Sequence, residues 1–526
     1  MEPKGTGRHA ILVATGILLS RLAGVVRQRV FNHYFGLLGE ADAFSQAIRI
    51  PNFLQTLFGE GVLSASFIPV YARLLAGRDE EEASLVAGAV GAILALTTAV
   101  LVLLGVLATP LLIAVIAPGF HGAERQLTIV LVRILFPGVG LLVMSAWCLG
   151  ILNTHRKFLL SYTAPVIWNA AMIATLLIFG GQALDRLAVT LAWGSVVGSG
   201  LQFGVQLPAV FKLARRLRFR LATASPQVRE VVRNFGPVFV SRGVVQISAY
   251  VDSVLASLLP RGAVAALMNA QSLGLLPVSL FGMSVSAAEL PAMSSVVGDE
   301  IDVHLHLRRR LNEGLRRIAF FIVPSAMAFL AFGDVIVTAL YQSGRFNHAD
   351  SDYVWGILAG SAVGLLASTM GRLYSSTYYA LRDTRTPLRF ALIRVALTTA
   401  LGYLSAKPLP LWIGIDPKWG VAGLTASAGV AGWLEFSLLR RSLNRRIGPT
   451  GLPVSLAAKL WTGAILAAAA GWGVKLAIGR HNAIIAAAAI LGTYGVAYFG
   501  GTAALRVTEA GETLGSVLRI ARRRRF

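Results

Sequence analysis

VAGAVGAILALTTAVLVLLGVLATPLLIAVIA, residues 86–117, runs for 32 positions without a charged side chain. A helix rises about 1.5 Å per residue, so about 20 such residues cross a hydrocarbon core of roughly 30 Å. This stretch reads as a spanning helix, with a bend or re-entrant end expected near Pro110. Similar runs recur on both sides, at 10–33, 43–71, 127–150, 160–180, 187–211, 232–258, 264–294, 315–332, 354–380, 388–405, 419–438, 455–477 and 483–505. Together they predict an all-α polytopic membrane protein of about fourteen helices. The whole composition agrees: of 526 residues 55% are hydrophobic and 14% charged, and the mean hydropathy is +0.67. The first run, Ala10 to Leu22, has Arg21, Arg27 and Arg29 in and after it and lacks a small-residue cleavage site, so it reads as the first span and not a removable signal.

A net charge of +23 would suit a nucleic-acid binder if it lay on one face, but here it sits in alternate loops. RLLAGRDEEE, NTHRKF, FKLARRLRFR, HLRRRLNEGLRR, ALRDTRTP, RRSLNRR and the tail RIARRRRF fall on one side. With the N-terminus they hold roughly thirty Lys and Arg, against about eight opposite, which puts both termini in the cytoplasm. The tail Arg519 to Arg525 reads as a topology anchor on anionic headgroups. One cysteine, Cys148, excludes an internal disulfide, and the eight histidines show no ligand spacing; His304 and His306 lie in a charged loop. No phosphate-cradling Gly-Lys loop, nucleophile–base pair or metal cluster is present, so the chain does not read as an enzyme.

LFGEGVLSASFIP (Leu57 to Pro69) and LFGMSVSAAELP (Leu280 to Pro291) form a faint repeat. It fits two six-helix lobes in pseudo-two-fold relation, the architecture of alternating-access transporters. Pro51 with Asn52, Pro237, Pro277 and Gly282 should interrupt spanning helices.

Ionisable groups inside spans cost about 2.5–3.5 kcal/mol each on insertion scales, so they mark a hydrated cavity, a buried pair or a snorkelling helix end. The N-terminal half brings Arg21, Arg27 and Arg29, then Asp42, Arg49 and Glu60. One reading is a cationic cavity in which Asp42 and Glu60 orient arginines that grip phosphate oxygens in bidentate fashion; the other is snorkelling at the periplasmic end. Arg242, Asp252, Glu289, Arg372, Arg394 and Glu435 lie in or near later spans. Asp252 suits either a cation or proton site or a salt bridge with an arginine such as Arg242 or Arg372.

SRLAGVVRQRVF (Ser20 to Phe31), ADAFSQAIRIPNFLQTLFGEGVLSASFIPVY (Ala41 to Tyr71), ILNTHRKF (Ile151 to Phe158), LYQSGRF (Leu340 to Phe346) and YYALRDTRTP (Tyr378 to Pro387) carry a family resemblance that runs from about residue 10 to 505. The chain resembles the MurJ (MviN) family of lipid II flippases, within the multidrug/oligosaccharidyl-lipid/polysaccharide exporter superfamily. The resemblance implies an N-terminal lobe at 1–220, a C-terminal lobe at 221–447, two further helices at 448–505 forming a lipid-tail groove, and a basic cytoplasmic tail at 506–526. It implies translocation of lipid II to the outer leaflet of the bacterial inner membrane, driven by an ion gradient or the membrane potential, by a monomer among membrane lipids with no nucleic acid involved.

By motif position Arg21, Arg27 and Asp42 match functional positions of the family. Gln55 and Gln271 stand where family members usually carry Arg, and Arg49 could compensate for the charge lost at Gln55. The resemblance also implies a sodium site, whose matching positions are Asp252, Asp383, Val395 and Thr399, with Tyr379 in place of another expected ligand; a loop salt bridge of Asp383 with Arg382 or Arg385 is the plain alternative. The competing functions are a flippase for another polyprenyl-linked saccharide, a cation-coupled drug exporter, which should line its cavity with carboxylates and aromatics, and a non-transporting scaffold.

Overall fold

The structure is a computed structural model. It describes residues 6–513 except 59, 215, 216, 218, 223, 295–298, 479–481 and 512; the side chains of 6–15, 17, 51, 60, 61, 64, 65, 237–249, 287, 288, 291, 292, 294 and 300 also fall outside the description, Glu60, Pro51, Pro237 and Arg242 among them. Two compact units emerge, Met1–Ala265 with Ser343–Phe346, and Ala266–Gln342 with Asn347–Phe526. Among the described residues the chain is helical throughout, without a β-strand. Among the described residues eleven helices are long and apolar enough to cross a membrane.

The first unit contains α1 (Thr6–Phe35), α2 (Gly39–Phe58), α3 (Glu60–Ala76), α4 (Glu80–Ile116), α5 (Gly122–Thr154), α6 (Phe158–Phe179), α7 (Leu184–Leu213) and α8 (Pro226–Ser257). Of these, α1, α2 with α3, and α8 are absent from the eleven apolar spans found among the described residues; Arg21, Arg27, Arg29, Asp42, Arg49 and Asp252 lie on them. α4 is one continuous helix through Pro110, so no re-entrant end forms there. Asp79 caps its start by accepting the N–H of Glu82 at 3.0 Å. The core gathers around Trp147, Phe67 and Tyr71, and the Trp147 indole donates to the Ala87 carbonyl at 3.0 Å. Between α5 and α7, Gln202 and Gln206 both donate to the Ser145 hydroxyl, at 3.1 and 2.6 Å. Such bonds hold helices together where lipid offers no hydrophobic drive. The Arg345 N–H of the LYQSGRF motif donates to the His33 carbonyl at 2.9 Å, which places that tetrad in the first unit.

The second unit holds most of α9 (Ala263–Pro277), then α10 (Ser284–Ser294), α11 (Glu300–Tyr341), α12 (His348–Ala380), α13 (Arg385–Ala406), the short α14 (Pro408–Ile413), α15 (Gly420–Ile447), α16 (Val454–Ile478) and α17 (Ala483–Ala504). Pro277 and Gly282 bracket a π-helical turn at Val278–Met283 between α9 and α10. The second LFG of the repeat, Leu280 to Gly282, therefore lies within this π-helical turn. HLRRRLNEGLRR, expected as a loop, is helical and forms the first turns of α11. Its Leu307, Leu311 and Leu315 are buried at four-residue spacing while Arg309 and Arg317 face outward, so an amphipathic period extends the span beyond its apolar part.

α11 is held at its two weak points by its neighbours. Pro324 has no N–H to offer the Phe320 carbonyl, and the Tyr498 hydroxyl of α17 donates to that oxygen at 2.7 Å. Phe332 leaves helical geometry at φ −133°, and the Trp355 indole of α12 donates to the nearby Phe329 carbonyl at 3.1 Å. α12 and α15 meet along a glycine seam. Gly356, Gly360 and Gly364 recur every fourth residue, and a Cβ on them would overlap Trp419, Thr425 with Ala422, and Gly429 respectively. Without side chains between them the backbones approach closely.

Candidate substrate-binding region

On α1, Arg21 is exposed, while Arg27 and Arg29 are half-buried. The Arg27 guanidinium stacks 4.9 Å from the Trp168 ring centroid and lies 3.9 Å from the Met172 sulfur, both on α6. A planar, weakly hydrated cation suits such a contact. The aromatic face fixes where the charge sits while leaving its in-plane donors able to meet an anion. Nothing in the sequence marked Trp168 as its partner, because the pair is 141 positions apart.

α2 distributes its polar residues differently from the sequence reading. Asp42 is buried, and its two carboxylate oxygens accept the N–H groups of Gly262 at 2.5 Å and Ala265 at 2.7 Å. It thus caps the first turn of α9 instead of facing the arginines. Arg49 is half-buried and lies within electrostatic reach of Asp252 and Tyr250 on α8; the Tyr250 hydroxyl donates to its backbone carbonyl. The structure therefore brings Arg49 and Asp252 together, a pairing the sequence did not single out. Next to them Ser253 donates to Gln46 at 2.5 Å, and Gln46 donates to the Ile116 carbonyl at 2.9 Å. Gln55 is half-buried on α2. Glu60 opens α3, but its side chain lies outside the described residues.

In the second unit Gln271 is half-buried on α9. Glu289 on α10 is buried and faces two α11 arginines, Arg310 at 3.7 Å and Arg317 at 3.8 Å. Arg394 on α13 donates to Glu435 on α15 at 3.1 Å.

The residues matched to a sodium site do not converge in this unit. The oxygens of Asp383 accept from the N–H groups of Arg385 and Thr386 at 3.1 and 3.0 Å, from the Thr386 hydroxyl at 2.7 Å, and from Arg446 at 2.8 Å. Burial pushes this carboxyl up, but the Thr386 bonds and Arg446 outweigh it and hold it below the usual carboxylate range. Val395 lies ten residues into α13, roughly 15 Å along the axis from Asp383's end, while a cation's oxygens must all lie within about 2.6 Å. The Thr399 hydroxyl donates to the Val395 carbonyl at 2.8 Å. Among the described residues no three or more His, Cys, Asp or Glu gather as a metal site.

A family model described as lipid II flippase MurJ matches residues 31–490. The chain is 30% identical over 446 residues to the lipid II flippase MurJ of Burkholderia cenocepacia, covering 83% of this chain and 84% of that protein. It is 29% identical over 448 residues to a probable lipid II flippase MurJ of Vibrio cholerae, covering 83% and 82%. Among solved structures it resembles a lipid II flippase MurJ in an inward closed conformation, with a TM-score of 0.76 at 24% identity, over 94% of this chain and 98% of the other. It also resembles an inward-facing MATE family multidrug resistance transporter, with a TM-score of 0.67 at 18% identity, over 83% and 98%. At those identities the structural likeness speaks to the fold.

Proposed function

The chain belongs to the lipid II flippase MurJ family, and on that premise we propose that it carries lipid II from the cytoplasmic to the outer leaflet of the bacterial inner membrane by alternating access. It is a transporter and not an enzyme. The observation that carries the reading is α1, a helix placing Arg21, Arg27 and Arg29 in a bundle that is otherwise largely apolar. The pyrophosphate is the one strongly anionic group of a polyprenyl-linked precursor, and guanidinium is the side chain that binds it with two parallel bonds. Arg21, Arg27 and Arg49 make those contacts in this reading, Gln55 and Gln271 add neutral donors to the head group, and Asp42 and Glu60 position the helices that present them. Fourteen spans in two lobes, at 1–220 and 221–447, with the helices at 448–505 holding the lipid tail, keep both termini cytoplasmic. An ion gradient or the membrane potential supplies the energy, and the monomer suffices.

The test is rescue of a bacterium depleted of its own lipid II flippase, comparing wild type with Arg27→Ala at matched membrane expression. Rescue by wild type alone supports the reading. Failure of a well-inserted wild type favours the second reading, a flippase for another polyprenyl-linked saccharide. Gln55 and Gln271 favour that alternative, since each brings no charge to a pyrophosphate.

A further inference from the structure

α12 carries a polar stripe where a lipid-facing helix would be apolar. Ser361, Ser368, Ser375, Ser376 and Tyr379 all fall within about 60° of Arg372 on a helical wheel, and each is at least partly accessible. α13 makes the contrast: its exposed Leu388, Leu392, Ile393 and Leu404 are what acyl chains prefer. The hydroxyls of Ser361, Ser368 and Ser376 donate to carbonyls of their own helix at 3.0, 3.2 and 3.1 Å. Their oxygen lone pairs remain for water, so the stripe suits a hydrated surface.

Arg372 sits at the middle of this stripe. It lies eight residues before the end of α12, and Arg394 lies nine residues after the start of α13. Both are therefore roughly 12–14 Å from the turn that joins these helices, close to mid-depth of a core about 30 Å thick. Arg394 is bonded to Glu435 at 3.1 Å, and Arg372 feels both of them, so two cations share one carboxylate. Tyr379 is within reach of the same Glu435. Among the described residues the Arg372 guanidinium makes no hydrogen bond or ion pair, and only its backbone carbonyl is engaged, by Ser376. With one carboxylate shared between two cations, an accessible arginine at this depth is expensive unless water or an anion meets it.

The geometry points to Arg372, with Tyr379 two turns along the same face and the Arg394–Glu435 pair within electrostatic reach, as a phosphate-binding site on the second unit that takes the pyrophosphate of the lipid-linked substrate. This rests on the transport reading above. The cluster's net charge of one positive, its planar fork and its hydrated surroundings suit a phosphate entering from water. Glu435 sets the strength of the site, because it cancels Arg394 and leaves Arg372 as the working charge.

The full chain in phosphatidylcholine nanodiscs can be titrated with lipid II and, separately, with undecaprenyl pyrophosphate, which has no sugar or peptide. Arg372→Gln should weaken both by about tenfold or more, the loss of one charge-assisted contact, with an unchanged melting temperature. Arg372→Lys should fall between, and Glu435→Gln, which unmasks Arg394, should bind both more tightly than wild type. Wild-type affinities in Arg372→Gln overturn the site while leaving the transport reading standing. An Arg372 effect on lipid II alone would mean a head-group carboxylate and not the phosphate, and overturns it too. Loss of the effect when the discs contain phosphatidylglycerol would assign the arginine to a bulk headgroup. If wild type binds neither ligand, the transport reading and this site fall together.

Discussion

The carboxylate of Asp42 accepts the N–H of Ala265 at 2.7 Å across 223 positions of sequence. With the bond from Gly262 it satisfies two helix-start donors that have no intrahelical partner. Asp42→Ala leaves them orphaned in a buried place, at about 1–3 kcal/mol for each unmet donor. The expected result is a purified protein that melts several degrees lower. Wild-type melting combined with lost rescue would instead put Asp42 in contact with substrate.

Tyr498 and Pro324 should be coupled. Tyr498→Phe removes the donor that replaces the missing proline N–H at the Phe320 carbonyl, costing about 1–3 kcal/mol for a buried acceptor left unmade. Pro324→Ala restores the helix's own donor, so Tyr498→Phe should then be nearly silent. A double-mutant cycle on thermal stability reads the coupling; additive losses would contradict it.

Arg27 and Trp168 divide the work between charge and placement. Arg27→Ala should abolish rescue, whereas Trp168→Leu should leave a partial phenotype. The stacking geometry is worth about 0.5–2 kcal/mol, so lipid II affinity should drop by a few-fold up to roughly thirtyfold. Equal defects in the two variants would mean the ring itself meets the substrate.

The Asp383–Arg446 pair gives a pH signature. The folded carboxyl sits below its ordinary value, so the stability it contributes is present above the usual aspartate range, near pH 4, and is lost as pH falls through the lower folded value. Asp383→Asn should therefore melt below wild type at neutral pH, and the gap should close towards about pH 3. A gap independent of pH would point to shape, not charge.

How much of this could be read in the chain depends on distance along it. The all-helical, many-span fold came from apolar runs, and an interruption near Pro277 and Gly282, though not its π-helical form, from those two residues, because these signals are local. The start of α11 was misread as a loop since its arginines hid three leucines at helical spacing. The partners of Asp42, Arg27 and Arg49 were out of reach, as each lies on a helix more than a hundred residues away and charge alone does not name a backbone N–H or an indole. For the same reason the salt bridge open to Asp383 was read with its chain neighbours Arg382 or Arg385, while Arg446, which makes it at 2.8 Å, lies 63 residues on.

The seam of Gly356, Gly360 and Gly364 against α15 has a mechanical consequence. Two helices packed this closely over successive turns, Trp419 and Thr425 seated directly on glycines and Gly364 on Gly429, behave as a single stiff plank. Any rocking during transport is then absorbed where the helices are already weak, at the π-helical turn before α10 and at the Phe332 kink. The plank carries Arg372 and Glu435 together, so the charge that meets the phosphate keeps its strength through the whole stroke.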